Sequence, residues 1–395
     1  MASFSVRFLG CKVSHTDVEA IRERLLADGH VEREGAADLA IVNACCVTNE
    51  AVSKSRQAAA RAARDHGRVY VTGCGASLRG AWEALPANVS VVARRSEDTP
   101  AFVAGDVGAI GCVQRDHRLE RVRAFVKIQD GCSFSCSFCV VPLVRGATRS
   151  RPAAAVLREI AKRVAQGHRE VVLTGINLGL FRDRDSGQSL AKLVREAGAT
   201  PGLDRLRLSS IEVNHLTPGL VAAMRDTPTV ARHLHVPLQS GDDRVLRSMA
   251  RRYDAATYLR KIEQAEGFNV TADVIVGFPT EDARAFANTL RLVERAGITK
   301  VHVFPYSPRP GTSTAASDPV SPEQKKERGA RLRETSRLAC LEHWRRKLGR
   351  EDTVLVDRPG RGYGDDYSPW LVDAGVGELV RVRAHAVTEE GIRAA

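Results

Sequence analysis

Three short apolar runs open the chain, at residues 6–9, 39–42 and 69–72, and each is followed within a few residues by a stretch with helical periodicity. Alternating strands and helices build a parallel sheet, because the crossover between parallel strands needs about a helix's length of chain. The first helix is expected over residues 16–27, where Val18, Ile21, Leu25 and Leu26 form one stripe and Gly29 stands near its end. The second, over residues 50–64, is Ala-rich and basic. A doubly wound parallel sheet follows for this part of an α/β chain. Residues 105–120 carry no such pattern and read as a linker.

A second α/β series begins beyond it, with strands expected at residues 122–128, 170–174, 206–209, 233–238, 271–276 and 300–304. Six strands separated by helical segments suggest a parallel partial barrel, (βα)6. After the Pro-rich residues 304–311, residues 323–350 read as a basic amphipathic helix with ten Lys/Arg against four Glu. The tail has β-like pieces at 353–356 and 379–382 with Gly and Asp between them, which suggests a small C-terminal β-module. The expected division is therefore 1–115, 116–322, 323–350 and 351–395.

A length of 395 residues suits two or three domains. The formal charge of +12 and a pI near 9.5 favour a polyanionic partner, with nucleic acid foremost. No apolar run approaches the roughly 18 residues of a membrane span, and the N-terminus lacks the basic, apolar and small-residue regions of a signal, so a cytoplasmic protein without membrane contact is expected. The nine cysteines are odd in number and partly clustered, which favours metal ligation over disulfides.

Cys132, Cys136 and Cys139 place three thiols within eight residues at the C-terminal end of a barrel strand. Three thiolates satisfy three irons of a [4Fe–4S] cluster and leave the fourth open, and the C-x-x-x-C-x-x-C spacing resembles that with which radical S-adenosylmethionine (AdoMet) enzymes seat the amino and carboxylate groups of AdoMet. The site falls on a βα loop, where barrel chemistry gathers. A zinc knob or buried free thiols are the alternative.

Cys11, Cys45 and Cys74 are far apart in sequence, yet each follows one of the three N-terminal strands. Parallel strands bring their C-terminal ends to one edge, so these thiols can converge on a second centre. Three small buried residues in tight turns are the alternative. Cys46 adjoins Cys45 and competes with it as ligand. Cys112 and Cys340 read as bland thiols.

Ordered segments at residues 9–13 (LGCKV), 42–45 (VNAC), 71–74 (VTGC), 140–146 (VVPLVRG), 148–151 (TRSR), 173–177 (LTGIN), 209–212 (SSIE), 235–241 (HVPLQSG), 273–279 (DVIVGFP) and 302–307 (HVFPYS) resemble the radical AdoMet methylthiotransferase family. The resemblance spans nearly the whole chain and favours Cys45 over Cys46. It implies two [4Fe–4S] clusters, one on each trio. One AdoMet would donate a methyl group to sulfur at the N-terminal cluster, and a second would supply a 5′-deoxyadenosyl radical at the Cys132/Cys136/Cys139 cluster. Phe138, Thr174, Gly175, Asn177, Ser210, Glu212, Gln239, Arg252 and Val276, at or near strand ends, would then line the AdoMet pocket; His235 is assigned no chemistry.

The tail is similar to the family's TRAM-type RNA-binding module. Residues 10–13, 45–49 and 54–57 resemble the branch that converts N6-threonylcarbamoyladenosine, beside the anticodon of lysine tRNA, to its 2-methylthio derivative. Isopentenyladenosine in tRNA and an aspartate of a ribosomal protein are the targets of other branches. A metal-stabilised RNA-binding protein without catalysis is the reading from another class. The family reading also implies an electron donor such as flavodoxin or ferredoxin. Ser14, Ala44 and Ser77 depart from the family pattern.

Overall fold

The computed structural model describes residues 1–78, 80–93, 97–108 and 122–395. Its first layer is a parallel sheet. β1 (Ser3–Phe8) leads into α1 (Lys12–Ala27), β2 (Val31–Glu32) forms an edge, and β3 (Leu39–Asn43) leads into α2 (Asn49–Asp65). β4 (Arg68–Thr72), β5 (Val89–Val91) and α3 (Thr99–Val107) complete it. The strand order is β2-β1-β3-β4-β5, with every pairing parallel. Phe4, Ile21, Leu25, Ile41 and Tyr70 fill one face, and Ala40, Val42, Ala59 and Val71 the other. β3 is consequently buried at every position, as a central parallel strand with both faces covered must be.

The first helix starts at Lys12 and not at Thr16, because Cys11 and Ser14 form a reciprocal cap that pulls the first turn back to the strand end. β2 and β5 escaped the sequence reading, being short edge strands of only two and three residues. Residues 105–107 belong to α3 and not to a linker. The rest of that proposed linker, with Cys112, lies largely outside the described residues.

Next come β6 (Arg123–Lys127), β7 (Gln129–Asp130), α4 (Val141–Arg145), β8 (Arg149–Ser150), α5 (Ala153–Ala165), β9 (Glu170–Thr174), α6 (Leu190–Gly198), β10 (Arg205–Leu208) and α7 (Pro218–Asp226). They are followed by β11 (His233–His235), α8 (Asp243–Ser248), α9 (Ala255–Gln264), β12 (Asn269–Val276), α10 (Ala283–Arg295), β13 (Lys300–Pro305) and α11 (Pro322–Arg345). Parallel sheets β10-β9-β6 and β11-β12-β13 are joined by the bridges Leu206–Val230 and Ser210–His235. The result is an open barrel of six parallel strands. β11 stops at His235, three residues short of expectation: Pro237 lacks a donor and Gln239 turns to φ 65°.

The tail forms a closed five-stranded barrel of β14 (Glu351–Arg358), β15 (Arg361–Tyr363), β16 (Pro369–Leu371), β17 (Leu379–Thr388) and β18 (Gly391–Ala394), in the order β14-β15-β16-β18-β17. Trp370, Val354, Val356 and Ile392 fill it, with Leu341 and Trp344 of α11 as its floor. Cys340 packs against this core. The loop between β15 and β16 caps the N-terminal mouth of the large barrel, where Arg205 donates to Tyr363 O at 3.1 Å, Arg207 to Asp365 O at 2.9 Å and Asn269 to Asp366 O at 2.8 Å. Beneath it, Glu170 is fully buried among Arg123, Arg205 and Arg207. The C-terminal mouth is thereby left for chemistry.

α11 ends at Arg345, and the turn through Gly349 (φ 74°) replaces the last turns expected to Arg350. Three of the cations expected over residues 323–350 to meet nucleic acid are used inside the fold. Lys325 pairs with Asp318, Arg328 with Glu281, and Lys347 with Asp352 and Asp366.

Candidate metal centres

Strands β1, β3 and β4 are neighbours in one parallel sheet, so the residues that follow them meet at its C-terminal edge. Cys11 is the N-cap of α1, Cys45 stands two residues past β3, and Cys74 opens a 3-10 turn after Gly73. Asn43 ties these ends together, its Nδ2 donating to Leu9 O at 2.7 Å. A Cβ on Gly73, at φ 81°, would lie 2.4 Å from Asn43 Oδ1, so only glycine fits there. Ser14 Oγ accepts from Cys11 N at 3.0 Å and fixes the Cys11 backbone.

Burial first, then the neighbouring Cys74 and Cys11 thiols, push the Cys45 thiol up from its ordinary range. Cys46 is 1% exposed, packs among Leu78, Ala81 and Val140, and is hydrogen-bonded to Cys74. That bond and the Arg145 guanidinium draw the Cys74 thiol down.

Cys132, Cys136 and Cys139 lie between β7 and α4. The β7–β8 pair closes the base of this loop, and Gly131 (φ 67°) is required there because a Cβ would meet Ala147 O at 2.2 Å. Cys132 N donates to Gly146 O at 3.0 Å, and Ser137 N to Met249 O at 3.1 Å. Burial pushes the Cys139 thiol up to about 11 and also raises Cys132, with Cys136 acting on both. Thiols so raised become thiolates when a metal supplies the compensating charge.

Among the described residues no three His, Cys, Asp or Glu side chains stand close enough to hold a single metal ion. Thiolates on a cubane each bind a different iron and stand farther apart than ligands of one ion. Three thiols, one for each of three irons, are the donor set that a [4Fe–4S] cluster takes, and each trio offers that set. Unpartnered buried oxygens mark the space beside each trio: Asn43 Oδ1 and Thr72 Oγ1 at the sheet edge, and Thr174 Oγ1, Asn177 Oδ1 and Ser209 Oγ at the ends of β9 and β10. The second group suits AdoMet, whose amino-acid and ribose groups need polar partners.

The remaining residues expected around AdoMet share the C-terminal mouth. A Cβ on Gly175 would lie 2.9 Å from Gln129 Oε1, and Asn177 N donates to that same atom at 2.9 Å. Phe138 meets Phe278 edge to face. Glu212 caps the turn at Asn214, Ser210 bridges to His235, and Gln239 bridges to Val274 beside buried Val276. Arg252 is exposed and covers the Phe134 ring. His235 Nε2 stands 3.2 Å from Asp273.

Two arginines missed by the sequence reading touch the trios. Arg251 Nη1 is 3.4 Å from Cys136 Sγ, with Glu212 at 3.5 Å. Arg145 donates to Cys74 Sγ at 2.9 Å, to both oxygens of Asp130 at 2.9 and 3.0 Å, and to Asp17 at 2.9 Å. Lys127 pairs with the same Asp17 and Asp130. Burial opposes the Asp130 charge, yet Arg145 and Lys127 hold its carboxyl well below the carboxylate range. A 460 Å³ cavity at this seam is lined by Cys74, Asp17, Thr72, Asp130 and Arg145. A larger groove of 1070 Å³ runs between α1 and α5 and reaches Lys127 and Asp130 but none of the thiols, whereas the seam cavity reaches Cys74.

Residues 126–293 match the radical SAM superfamily, and residues 3–93 match an uncharacterized protein family, UPF0004. The chain is 34% identical to the threonylcarbamoyladenosine tRNA methylthiotransferase MtaB of Chlamydia pneumoniae, over 99% of this chain and 97% of the relative. Identity to the MtaB of Thermotoga maritima is 33%, over 99% and 96%. A tRNA-2-methylthio-N(6)-dimethylallyladenosine synthase of Sorangium cellulosum is 34% identical over 92% and 84%. Among solved structures, the radical AdoMet methyltransferase TsrM of Kitasatospora setae, with cobalamin and a [4Fe-4S] cluster bound, superposes with a TM-score of 0.56 at 12% identity, covering 79% of this chain and 73% of that one. At that identity the likeness concerns the fold.

Proposed function

The chain belongs to the radical AdoMet methylthiotransferase family, and from that premise we propose that it inserts a methylthio group at C2 of N6-threonylcarbamoyladenosine in tRNA. It is a tRNA-modifying transferase that uses AdoMet and a [4Fe–4S] cluster. We assign that cluster to Cys132, Cys136 and Cys139, and a second to Cys11, Cys45 and Cys74. When bound, these groups supply an electron, a methyl group, sulfur and the means to remove hydrogen from an unreactive C–H bond.

The observation that carries this reading is the seam itself, where Arg145 beside one trio holds a thiol of the other. Insertion of sulfur at carbon requires both centres to address one substrate atom, so fixed apposition is what the chain must provide. Arg145, Lys127, Asp17 and Asp130 lock α1 of the sheet to the cluster loop of the barrel. Thr174, Asn177 and Ser209 offer polar atoms to AdoMet, while Phe138 and Phe278 wall the site against water. Residues 1–115 would serve sulfur, 116–322 AdoMet, and the exposed face of 323–350 with the barrel at 351–395 would bind RNA. Lysine tRNA and a flavodoxin or ferredoxin would be the partners.

Support for the threonylcarbamoyl substrate is the relatives' naming together with the motifs at residues 10–13 and 45–49. A dimethylallyladenosine substrate is the second reading, favoured by the equally similar Sorangium relative. Tandem mass analysis of tRNA nucleosides from a deletion strain separates them: loss of the methylthio-threonylcarbamoyl nucleoside supports the first, and loss of the methylthio-dimethylallyl nucleoside the second. Anaerobic reconstitution to about eight irons per chain, four for each cluster, would set aside a zinc-stabilised binding protein.

A further inference from the structure

The inner face of the barrel is polar at a depth where a packed barrel carries bulky aliphatic side chains. Along β12, Val270, Ala272, Val274 and Val276 join the core against the surrounding helices, so Thr271 and Asp273 point inward. Along β13, Val301 and Val303 pack outward, while Lys300, His302 and Phe304 point inward and remain open to solvent. The register sets Lys300 beside Thr271 and His302 beside Asp273. β11 adds His233 and His235, whose Nε2 and Nδ1 stand 3.0 and 2.9 Å from Thr271 Oγ1. The His235 ring lies 5.6 Å from that of His302.

Lys12, the first residue of α1, enters the same space from the N-terminal sheet. Its Nζ is 5.7 Å from the centre of the Tyr367 ring, which in turn lies 5.0 Å from the His233 ring. Tyr367, held at φ 69°, rises from the loop that caps the N-terminal mouth. The Lys12 charge acts on His233 and His302 alike. The neighbouring carboxylates are engaged elsewhere: Asp273 by His235, Glu170 by its arginines, and Asp366 by His343 and Lys347. Among the described residues Lys12 and Lys300 therefore pair with no carboxylate, and His302 has no hydrogen-bond partner.

An ammonium left unpaired beside an imidazole that can donate an N–H is a site for an anion, and a carboxylate accepts from both. Asp273 and His302 sit three residues below Val276, about 10 Å from the C-terminal mouth. Groups at that depth meet the arm of a modified base held at the mouth, not its reacting carbon. An alkyl arm placed there would strip water from Lys12, His302 and Asp273 and return no hydrogen bond. We propose that Lys12 and His302 bind the carboxylate of the threonylcarbamoyl arm, and so select that substrate over a dimethylallyl one. This deepens the methylthiotransferase reading and rests on it.

The test measures binding of anticodon stem-loop RNA to the anaerobically reconstituted full-length enzyme with AdoMet present, for wild type, K12M and H302A. Three loops differ only at the target base, which is threonylcarbamoyladenosine, its threonyl methyl ester, or unmodified adenosine. Wild type should bind the acid about tenfold or more tighter than the ester, as loss of a charge-assisted hydrogen bond implies. In both variants affinity for the acid should fall toward that for the ester, while the ester and the unmodified loop keep their wild-type affinities. An ester bound by wild type as tightly as the acid would overturn the proposal. So would equal weakening of all three loops in K12M, the mark of a phosphate contact. Iron content and 5′-deoxyadenosine formation show whether K12M keeps its clusters; if it does not, H302A decides by the same comparison, and the wild-type contrast of acid and ester stands whichever variant folds. A wild-type enzyme that modifies a dimethylallyladenosine loop and leaves the threonylcarbamoyl loop unmodified would instead count against the reading beneath the proposal.

Discussion

Arg145 Nε lies 2.9 Å from Cys74 Sγ, so a side chain just beyond the last thiol of one trio holds a thiol of the other. Hydrogen bonds to cluster sulfurs stabilise the reduced, more negative state. Arg145→Lys keeps a charge but cannot reach Cys74, Asp130 and Asp17 together. The midpoint potential of the N-terminal centre should fall in this variant, while that of the barrel centre moves less. Redox titration followed by paramagnetic resonance measures both, and equal shifts would argue against a bond specific to Cys74.

Separate tasks for the two trios predict separate losses. Cys136→Ala should abolish reductive AdoMet cleavage. Cys45→Ala should leave 5′-deoxyadenosine formation and stop sulfur insertion. Quantifying 5′-deoxyadenosine and methylthio nucleoside in the same reactions checks this, and loss of both products in a folded Cys45→Ala enzyme would contradict it.

Glu170 is buried among three arginines, and although burial opposes its charge, Arg207, Arg123 and Arg205 keep its carboxyl below the usual range. Glu170→Gln leaves those cations without their counter-charge beneath the C-terminal module. A loss of about 3–5 kcal/mol is expected, the cost of breaking a buried ion pair. Denaturant unfolding measures it, and a loss under about 1 kcal/mol would show that Asp357, 3.1 Å from Arg123, and Asp365, 3.7 Å from Arg205, suffice.

Burial, then Arg207, His235 and Lys12, hold the His233 imidazole well below its usual range, and burial lowers His215 and His302 as well. A depressed folded pKa means the unfolded chain binds the proton first. The stability contributed is therefore present above about pH 6.5 and is lost as pH falls below it. His233→Gln should flatten the acid side of the stability profile just below that pH. An unchanged slope in urea unfolding across pH 5–7 would refute the assignment.

Lys325, Arg328 and Lys347 serve the fold, so on the proposed tRNA-binding face the exposed cations of α11 and the turn after it are left to make the contact. Lys326, Arg333, Arg346 and Arg350 are exposed. Changing these four to Gln should weaken tRNA binding and flatten its salt dependence, each lost phosphate contact removing about 0.9 from the logarithmic slope. A slope equal to that of the wild type would exclude this face.

Strand and helix periods determined the parallel sheet, the six-stranded open barrel and the trailing β-module, because those patterns record which faces are buried. The compact trio at Cys132, Cys136 and Cys139 was legible for the same reason that it is local: the chain need only turn once to assemble it. The dispersed trio could be inferred because adjacent parallel strands must end at one edge, once β1, β3 and β4 are neighbours. What no period encodes is a contact between side chains distant in sequence. Arg145 on Cys74 is decided by how the sheet docks on the barrel, and Arg251 on Cys136 by how the barrel's own loops pack. So is the fate of the basic helix, whose charges look alike in sequence. Only packing assigns Lys325 and Lys347 to buried carboxylates and leaves Lys326 and Arg333 to solvent.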